Sequence, residues 1–308
     1  MNTDGDFPVL LGGIFFAGFF VGRTCFCRAC FCGLRVRMSI LKRMLFVFGI
    51  GRMNDLDILR SDVCRAFDAG EFSLVYQCVV SLSNVGKIEG FEVLLRWNHP
   101  TLGYIPPSKF IPLLEETRSI NRVGLWVLRE AMIQVKRWQD FYRKDFFLAV
   151  NLSVEQVHEG FLNDIRDAFI EANFPPQLLI LEITEGKPLS DRVGVEKILN
   201  ALCCQGISIA IDDFGTGFSS LGRLHTLPIA YLKIDQSFLR EDRLWEVVRW
   251  IYGFSENFAI ITEGVETAEH LEKLLKINGK KIDGYAQGYY FSRPIGADAM
   301  TTHLSNAS

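Results

Sequence analysis

The sequence predicts an α/β fold: a (β/α)8 barrel with an antiparallel first strand, preceded by a short apolar N-terminal segment. Three observations predict it. Eight apolar, strand-like runs recur between residues 73 and 291. Most are separated by stretches with apolar residues every three or four positions, the helical period. The first two runs are joined by the glycine turn Asn84-Val85-Gly86-Lys87, which is too short for a parallel crossover. Strands alternating with helices argue for a parallel sheet. Eight of them in about 250 residues match a closed, TIM-like barrel. A doubly wound open sheet is the alternative.

The runs fall at residues 73–80, 88–96, 146–151, 178–183, 207–212, 230–234, 258–262 and 282–291. Helical spacing covers 122–138, 154–172, 193–204 and 268–277. The barrel is expected to occupy residues 53–308. Residues 1–52 differ from it. Residues 7–22 carry no charge but fall short of the roughly 20 residues of a spanning helix. Asp4 and Asp6 precede them, and Arg23, Arg28, Arg35, Arg37, Lys42 and Arg43 follow. That order is the reverse of a secretory signal peptide. By the positive-inside rule it places the following chain in the cytoplasm. Residues 1–52 therefore read as a membrane anchor with a basic juxtamembrane stretch. The alternative is a soluble protein that starts near Met53.

Over 308 residues the formal net charge is −3, which argues against a nucleic-acid surface. A small phosphorylated ligand needs only local charge and stays open. Cys25, Cys27, Cys30 and Cys32 lack the second, distant pair of ligands of a structural zinc module. They read as small apolar residues beside the membrane segment. Cys64, Cys78, Cys203 and Cys204 are scattered, as in a reducing compartment.

Polar residues sit where the apolar runs end. Glu92 lies in the second run, with Arg96 four residues on. Asn151 closes the third, Glu182 nearly closes the fourth, and Asp212 and Asp213 close the fifth. Lys233 and Asp235 close the sixth, Glu263 follows the seventh, and Gln287 lies in the eighth. In a (β/α)8 barrel the strand C-termini form one face, where active sites lie. That face collects more carboxylates than cations, so the missing positive charge is a divalent cation, and adjacent Asp212 and Asp213 suit two. Oxygen-only ligands favour Mg²⁺, Mn²⁺ or Ca²⁺ over zinc. Two ions sharing a carboxylate activate water for phosphoester displacement. Plainer readings exist for each residue alone. Asp213 caps a helix near Phe218, Glu92 pairs with Arg96, or Lys233 neutralises Asp235. His99 reads as a loop residue, and the other histidines share no spacing. There is no nucleophile elbow and no phosphate-binding glycine-lysine loop.

The motifs "EVLLRW", "NLS", "EITE", "DDFGTGFSSL", "LKID", "EGVET" and "QGYYFSRP", in this order from about Phe72 to Pro294, resemble the EAL family of bacterial cyclic di-GMP phosphodiesterases. The resemblance implies metal-dependent hydrolysis of cyclic di-GMP to linear pGpG with Mg²⁺ or Mn²⁺, two ions in all. It implies Glu92, Asn151, Glu182 and Asp212 as ligands of the first metal, and Asp212 and Asp213 as ligands of the second. Lys233 matches a lysine that holds the attacking water, and Glu263 a general base or second-metal ligand. Glu185 matches a residue that fixes the DDFGTG loop. Gln77, Arg96, Asp235 and Gln287 match substrate-side positions. A homodimer is implied, with the catalytic domain in the cytoplasm at the bacterial inner membrane. The family's signature alanine is Val93 here, and its proline after Gln77 is Cys78, a change expected to loosen the cavity entrance. The alternative function is a non-hydrolysing cyclic di-GMP receptor or a protein-binding regulatory domain.

Overall fold

The computed structural model describes residues 55–184, 194–216, 228–253, 258–279 and 284–307. The chain divides into two compact units, Met1–Arg52 and Met53–Ser308, and every described residue belongs to the second. The expected anchor, the cysteine cluster before residue 33 and Glu185 therefore lie outside the described residues. Among the described residues, no helix is long and apolar enough to cross a membrane.

Strand β1 (Phe72–Ser81) and β2 (Ile88–His99) form an antiparallel hairpin, with Phe72 opposite Trp97 and Gln77 opposite Glu92. Then come β3 (Gly103–Ile105), β4 (Phe147–Asn151), β5 (Leu179–Thr184), β6 (Ser208–Phe214), β7 (Ile229–Ile234), β8 (Ala259–Thr262) and β9 (Gly284–Ala286). β2 and β4 to β9 pair in parallel, each with the next. β9 then meets β1 antiparallel, at Val80–Ala286 and Ser81–Tyr285, and closes an eight-stranded barrel. The antiparallel first strand follows from the short glycine turn. β3 lies outside the barrel and pairs with the end of β2.

The helices are α1 (Asp55–Ala66), α2 (Pro107–Glu116), α3 (Ile120–Tyr142), α4 (Phe161–Ala172), α5 (Val195–Cys204), α6 (Ser237–Arg240), α7 (Trp245–Gly253), α8 (Ala268–Asn278) and α9 (Ala297–Ala307). Their apolar faces bury the outward side chains of the strands. Trp138 of α3, for example, packs on Phe91 and Tyr76 with ring centroids 4.8 and 5.0 Å away. Two expected elements are corrected. The helical pattern over 154–172 splits into a 3₁₀ turn, Val154–Gln156, and α4. Ser153 and Gln156 form a capping box that satisfies this first turn locally, and Val157 then leaves the helix at φ −82°, ψ 94°. Among the described residues of the eighth run, 282–291, the strand covers Gly284–Ala286. From Gln287 the chain turns, because the N–H groups of Phe291 and Ser292 donate to the Gly288 carbonyl. Gly288 lies so close to the Val265 backbone that a Cβ there would come within 2.2 Å of the Val265 oxygen.

His99 is also corrected: it ends β2 and is buried. Its Nδ1 accepts from the backbone N–H groups of Thr101 and Leu102, so its Nε2–H faces Asp62, 3.0 Å away. This bond ties α1 to the β2–β3 turn.

In a strand, residues i and i+2 share a face. Val79, Phe147, Ala149, Ile180, Ala210 and Ile261 face inward together, with Tyr231 and Tyr285 against them. The rings of Phe147, Tyr231 and Tyr285 lie 5.8–6.4 Å apart, and together they plug the barrel at the amino ends of its parallel strands. Gly90 makes room for this plug, since a Cβ there would stand 2.4 Å from the Phe147 ring.

Candidate metal and substrate site

One step of two residues along each strand, the inward side chain turns polar. Gly90 gives way to Glu92, Ala149 to Asn151, Ile180 to Glu182 and Ala210 to Asp212. Tyr231 gives way to Lys233, Ile261 to Glu263 and Tyr285 to Gln287. On β1, which runs the other way, Val79 gives way to Gln77. All eight polar residues line one cavity of about 990 Å³, together with Arg96 and Asp213.

Lys233 stands at the centre of the acidic groups. Its Nζ lies 2.8 Å from Glu263 Oε1, 3.0 Å from both Glu182 Oε2 and Asp212 Oδ1, and 3.7 Å from Glu92 Oε1. Burial alone would favour the neutral amine, but Glu182, Glu263, Glu92 and Asp212 outweigh it and hold the ammonium well above its usual pKa. Burial pushes Glu182 well above the usual carboxylate range, opposed by Lys233 and reinforced by Glu92 and Asp212. Glu263 is raised to about 7, by burial first, with Lys233 opposing and Asp212 and Glu92 adding to it. Asp213 is raised by burial and then by Asp212 and Asp235.

The plainer readings of single residues do not describe this arrangement. Glu92 accepts from Asn151 Nδ2 (2.9 Å) and Gln287 Nε2, while Arg96 donates to its neighbour's carbonyl at Leu95 (3.0 Å). Lys233 is bound by four carboxylates, none of them Asp235. Asp235 is not brought to the cavity lining: its Oδ1 accepts from Ser237 N–H at 2.9 Å, at the start of α6. Whether Asp213 caps a helix near Phe218 lies outside the described residues. Asp213 has φ 55°, in the left-handed region, and its N–H donates to Asp212 Oδ1 at 3.0 Å. That conformation costs a non-glycine residue roughly 1–2 kcal/mol. It turns neighbouring carboxylates toward one site. Gly215 follows at φ 92°, and a Cβ there would stand 2.4 Å from Phe238.

These residues fit a divalent cation. Asp212, Asp213 and Glu263 each offer an oxygen within 4.8 Å of the others. Glu182 Oε1 and Gln287 Oε1 are buried with no hydrogen-bond partner among the described residues. Asn151 gives its Nδ2 to Glu92 and so keeps its carbonyl oxygen as an acceptor. Hard oxygen donors with surplus negative charge are the ligands of Mg²⁺ and Mn²⁺.

Cys78 does not line the cavity. It is fully buried, its Sγ lies 3.4 Å from Met300 Sδ, and its N–H donates to Ser292 Oγ at 3.0 Å. A proline would have no N–H to give. Val93 points away from Glu92 into the layer between strands and helices. Glu115, Gln236, Arg240, Glu266 and Tyr289 also line the cavity and were not singled out in the sequence. They lie on helices and turns, where no apolar run ends to mark them.

The family model of the EAL domain matches residues 60–294. The chain belongs to the EAL domain family. It is 36% identical over 256 residues to the oxygen sensor protein DosP of Escherichia coli (strain K12), covering 81% of this chain and 31% of that one. It is 38% identical over 254 residues to the bifunctional diguanylate cyclase/cyclic di-GMP phosphodiesterase MucR of Pseudomonas aeruginosa, covering 80% and 36%. It thus spans about a third of the length of these curated relatives. Among solved EAL structures, PaMucR phosphodiesterase in complex with c-di-GMP superposes with a TM-score of 0.71 at 37% identity, covering 79% of this chain and 99% of that one. The cAMP- and cyclic-di-GMP-bound form of the EAL enzyme Bd1971 does so with a TM-score of 0.75 at 31% identity, covering 86% and 73%. The matches cover the EAL barrel described above.

Proposed function

We propose that this EAL domain hydrolyses cyclic di-GMP to linear pGpG, with two bound Mg²⁺ or Mn²⁺ ions. The observation that carries the reading is the inward ring of Glu92, Asn151, Glu182, Asp212, Lys233 and Glu263 in one cavity, in the family's order. Glu92, Asn151, Glu182 and Asp212 would hold one ion, and Asp212 and Asp213 the other; Asp212, Asp213 and Glu263 offer oxygens within 4.8 Å of one another. Bound cations of this kind polarise phosphoryl oxygens and make water a better nucleophile at neutral pH. The chain's own residues orient and deprotonate. Lys233 keeps its charge under four carboxylates; its three N–H groups face Glu263, Glu182 and Asp212, and one of them would turn to hold the water oxygen. Glu263, whose carboxylate lies 2.8 Å from Lys233 Nζ, takes the water's proton as the oxygen bonds to phosphorus. One phosphorus–ester oxygen bond breaks in return, and the ester oxygen leaves with a proton. Arg96, at the cavity wall, gives the substrate a cation to set against its phosphate charge. Incubation of the purified chain with cyclic di-GMP and Mg²⁺ or Mn²⁺ tests this, with pGpG as the expected product. Binding without product would instead support a non-hydrolysing receptor.

We also propose that residues 7–22 anchor the chain, with the barrel on the cytoplasmic side as a homodimer. Support for the anchor and its orientation comes from the uncharged stretch and the basic residues after it; the dimer rests on the family resemblance alone. Protein that stays soluble without detergent on fractionation would refute the anchor, and a monomer by sedimentation would refute the dimer.

A further inference from the structure

The barrel has a seam. β1 pairs with β2 over nearly its whole length, from Phe72 to Val80, but meets β9 only at Val80 and Ser81. Further along the same edge, Tyr76 exchanges N–H···O bonds with Ile295 (2.8 and 3.0 Å). Between these two points the N–H of Cys78 faces a gap where β9 has already ended. A buried N–H left unpaired costs about 1–3 kcal/mol. The Ser292 hydroxyl fills the place, accepting from Cys78 N–H at 3.0 Å.

Ser292 is also bound through its backbone. Its carbonyl oxygen accepts from Gln77 Nε2 at 3.0 Å. A carbonyl can only accept, so Gln77 must present its amide nitrogen to Ser292 and its Oε1 to the cavity. Gln287 Nε2 donates to that Oε1 at 2.9 Å and also to the Glu92 carboxylate. Both partners of this nitrogen are acceptors, which sets the orientation of Gln287 as well. Among the described residues, the Gln287 oxygen is left buried without a hydrogen-bond partner. The chain of bonds therefore runs Cys78, Ser292, Gln77, Gln287, Glu92, and each link fixes the direction of the next.

We propose that Ser292 is a positioning residue: pinned to Cys78 by its hydroxyl, its carbonyl orients the Gln77–Gln287 carboxamide pair and, through Gln287, the Glu92 carboxylate. The hydroxyl touches none of the reacting groups. It acts by holding the backbone of residue 292 where Gln77 can reach it. The consequence for turnover rests on the phosphodiesterase reading above; the consequence for the two glutamines does not.

The test uses the full chain with glutamine-selective ¹⁵N labelling and neither metal nor substrate. The side-chain amide signals of Gln77 and Gln287 are assigned by their loss in Gln77→Ala and Gln287→Ala. In Ser292→Ala both signals should shift and exchange with solvent about tenfold faster, the equivalent of one ordinary hydrogen bond. Ser292→Thr, which keeps the hydroxyl, should restore them. Both signals unchanged in Ser292→Ala would overturn the proposal. If Ser292→Ala does not fold, Ser292→Cys keeps the size with a weak acceptor and should give the same shifts. In the second arm, Ser292→Ala lowers kcat about tenfold in the parent and less than about twofold in Gln77→Ala, because the effect passes through Gln77. Equal losses in both backgrounds would reduce Ser292 to general packing and overturn its positioning role. A parent without turnover would remove the phosphodiesterase reading alone, and the amide signals would still decide the role of Ser292.

Discussion

The two ends of the barrel interior are built from the same strands and do opposite things. At the amino ends of the parallel strands, Phe147, Tyr231 and Tyr285 plug the barrel with rings against Val79, Ile180 and Ile261. Two residues on, the same faces carry four carboxylates around Lys233. A packed apolar layer needs no compensation, whereas buried like charges are costly unless something opposes them. In the metal-free protein Lys233 opposes them in part, and Glu182 and Glu263 meet the rest by holding their protons to higher pH. One end of the barrel thus serves stability, and the other gathers charge at its expense.

The comparison is most exposed at Glu263. Glu263→Gln keeps size and hydrogen bonding but cannot take a proton, so kcat should fall by roughly 10²–10⁴ while cyclic di-GMP still binds. Product assays beside calorimetry check this, and equal turnover in parent and variant would remove Glu263 from the mechanism. At the other end, Phe147→Ala should cost about 3–5 kcal/mol of stability by denaturant titration. Turnover per folded molecule should stay within about twofold; if it collapses as in Glu263→Gln, the two ends are not separable. A pH series sharpens the contrast. Glu263 is raised from an unfolded value of 4.5 to about 7, so the folded, metal-free protein binds the extra proton. Its contribution is full below about 4.5 and is lost as pH rises through about 7. Tm of the metal-free protein should fall across that window, and saturating Mn²⁺ should remove the fall. A Tm that rises there without metal would contradict the placement of Glu263. The smallest effect is expected at Val93, beside Glu92 but facing the helices. Val93→Ala should cost about 1–2 kcal/mol, the worth of two buried methyl groups, with turnover unchanged within twofold.

The polar end was legible in the sequence because most of its carboxylates lie at or near the end of an apolar run, and a barrel gathers strand ends on one face. The hairpin was legible from the turn at residues 84–87. Much of the rest depends on contacts between distant residues. β3 is three residues long and carries no pattern of its own. His99 reads as a turn residue until Asp62, 37 residues away, is found beside it. Asp235 follows a strand end as the cavity carboxylates Asp212 and Glu263 do, yet the chain has already turned and uses it to start α6. Ser292 sits in a matched motif, but only the gap in the β1 edge shows what its hydroxyl does.

The seam between β1 and β9 also bears on how the protein is made. Gln77 and the Ser292 carbonyl are separated by 215 residues, and Gln77 and Gln287 by 210. The hairpin of β1 and β2 forms from neighbouring residues, but its free edge must wait for nearly the whole barrel to be synthesised. Until then β1 presents unpaired backbone groups, a hazard for a chain still on the ribosome. A barrel chain cut short before β9 lacks its last strand and one wall of its cavity together. Completion of the barrel, closure of its seam and assembly of the cavity wall are therefore one event.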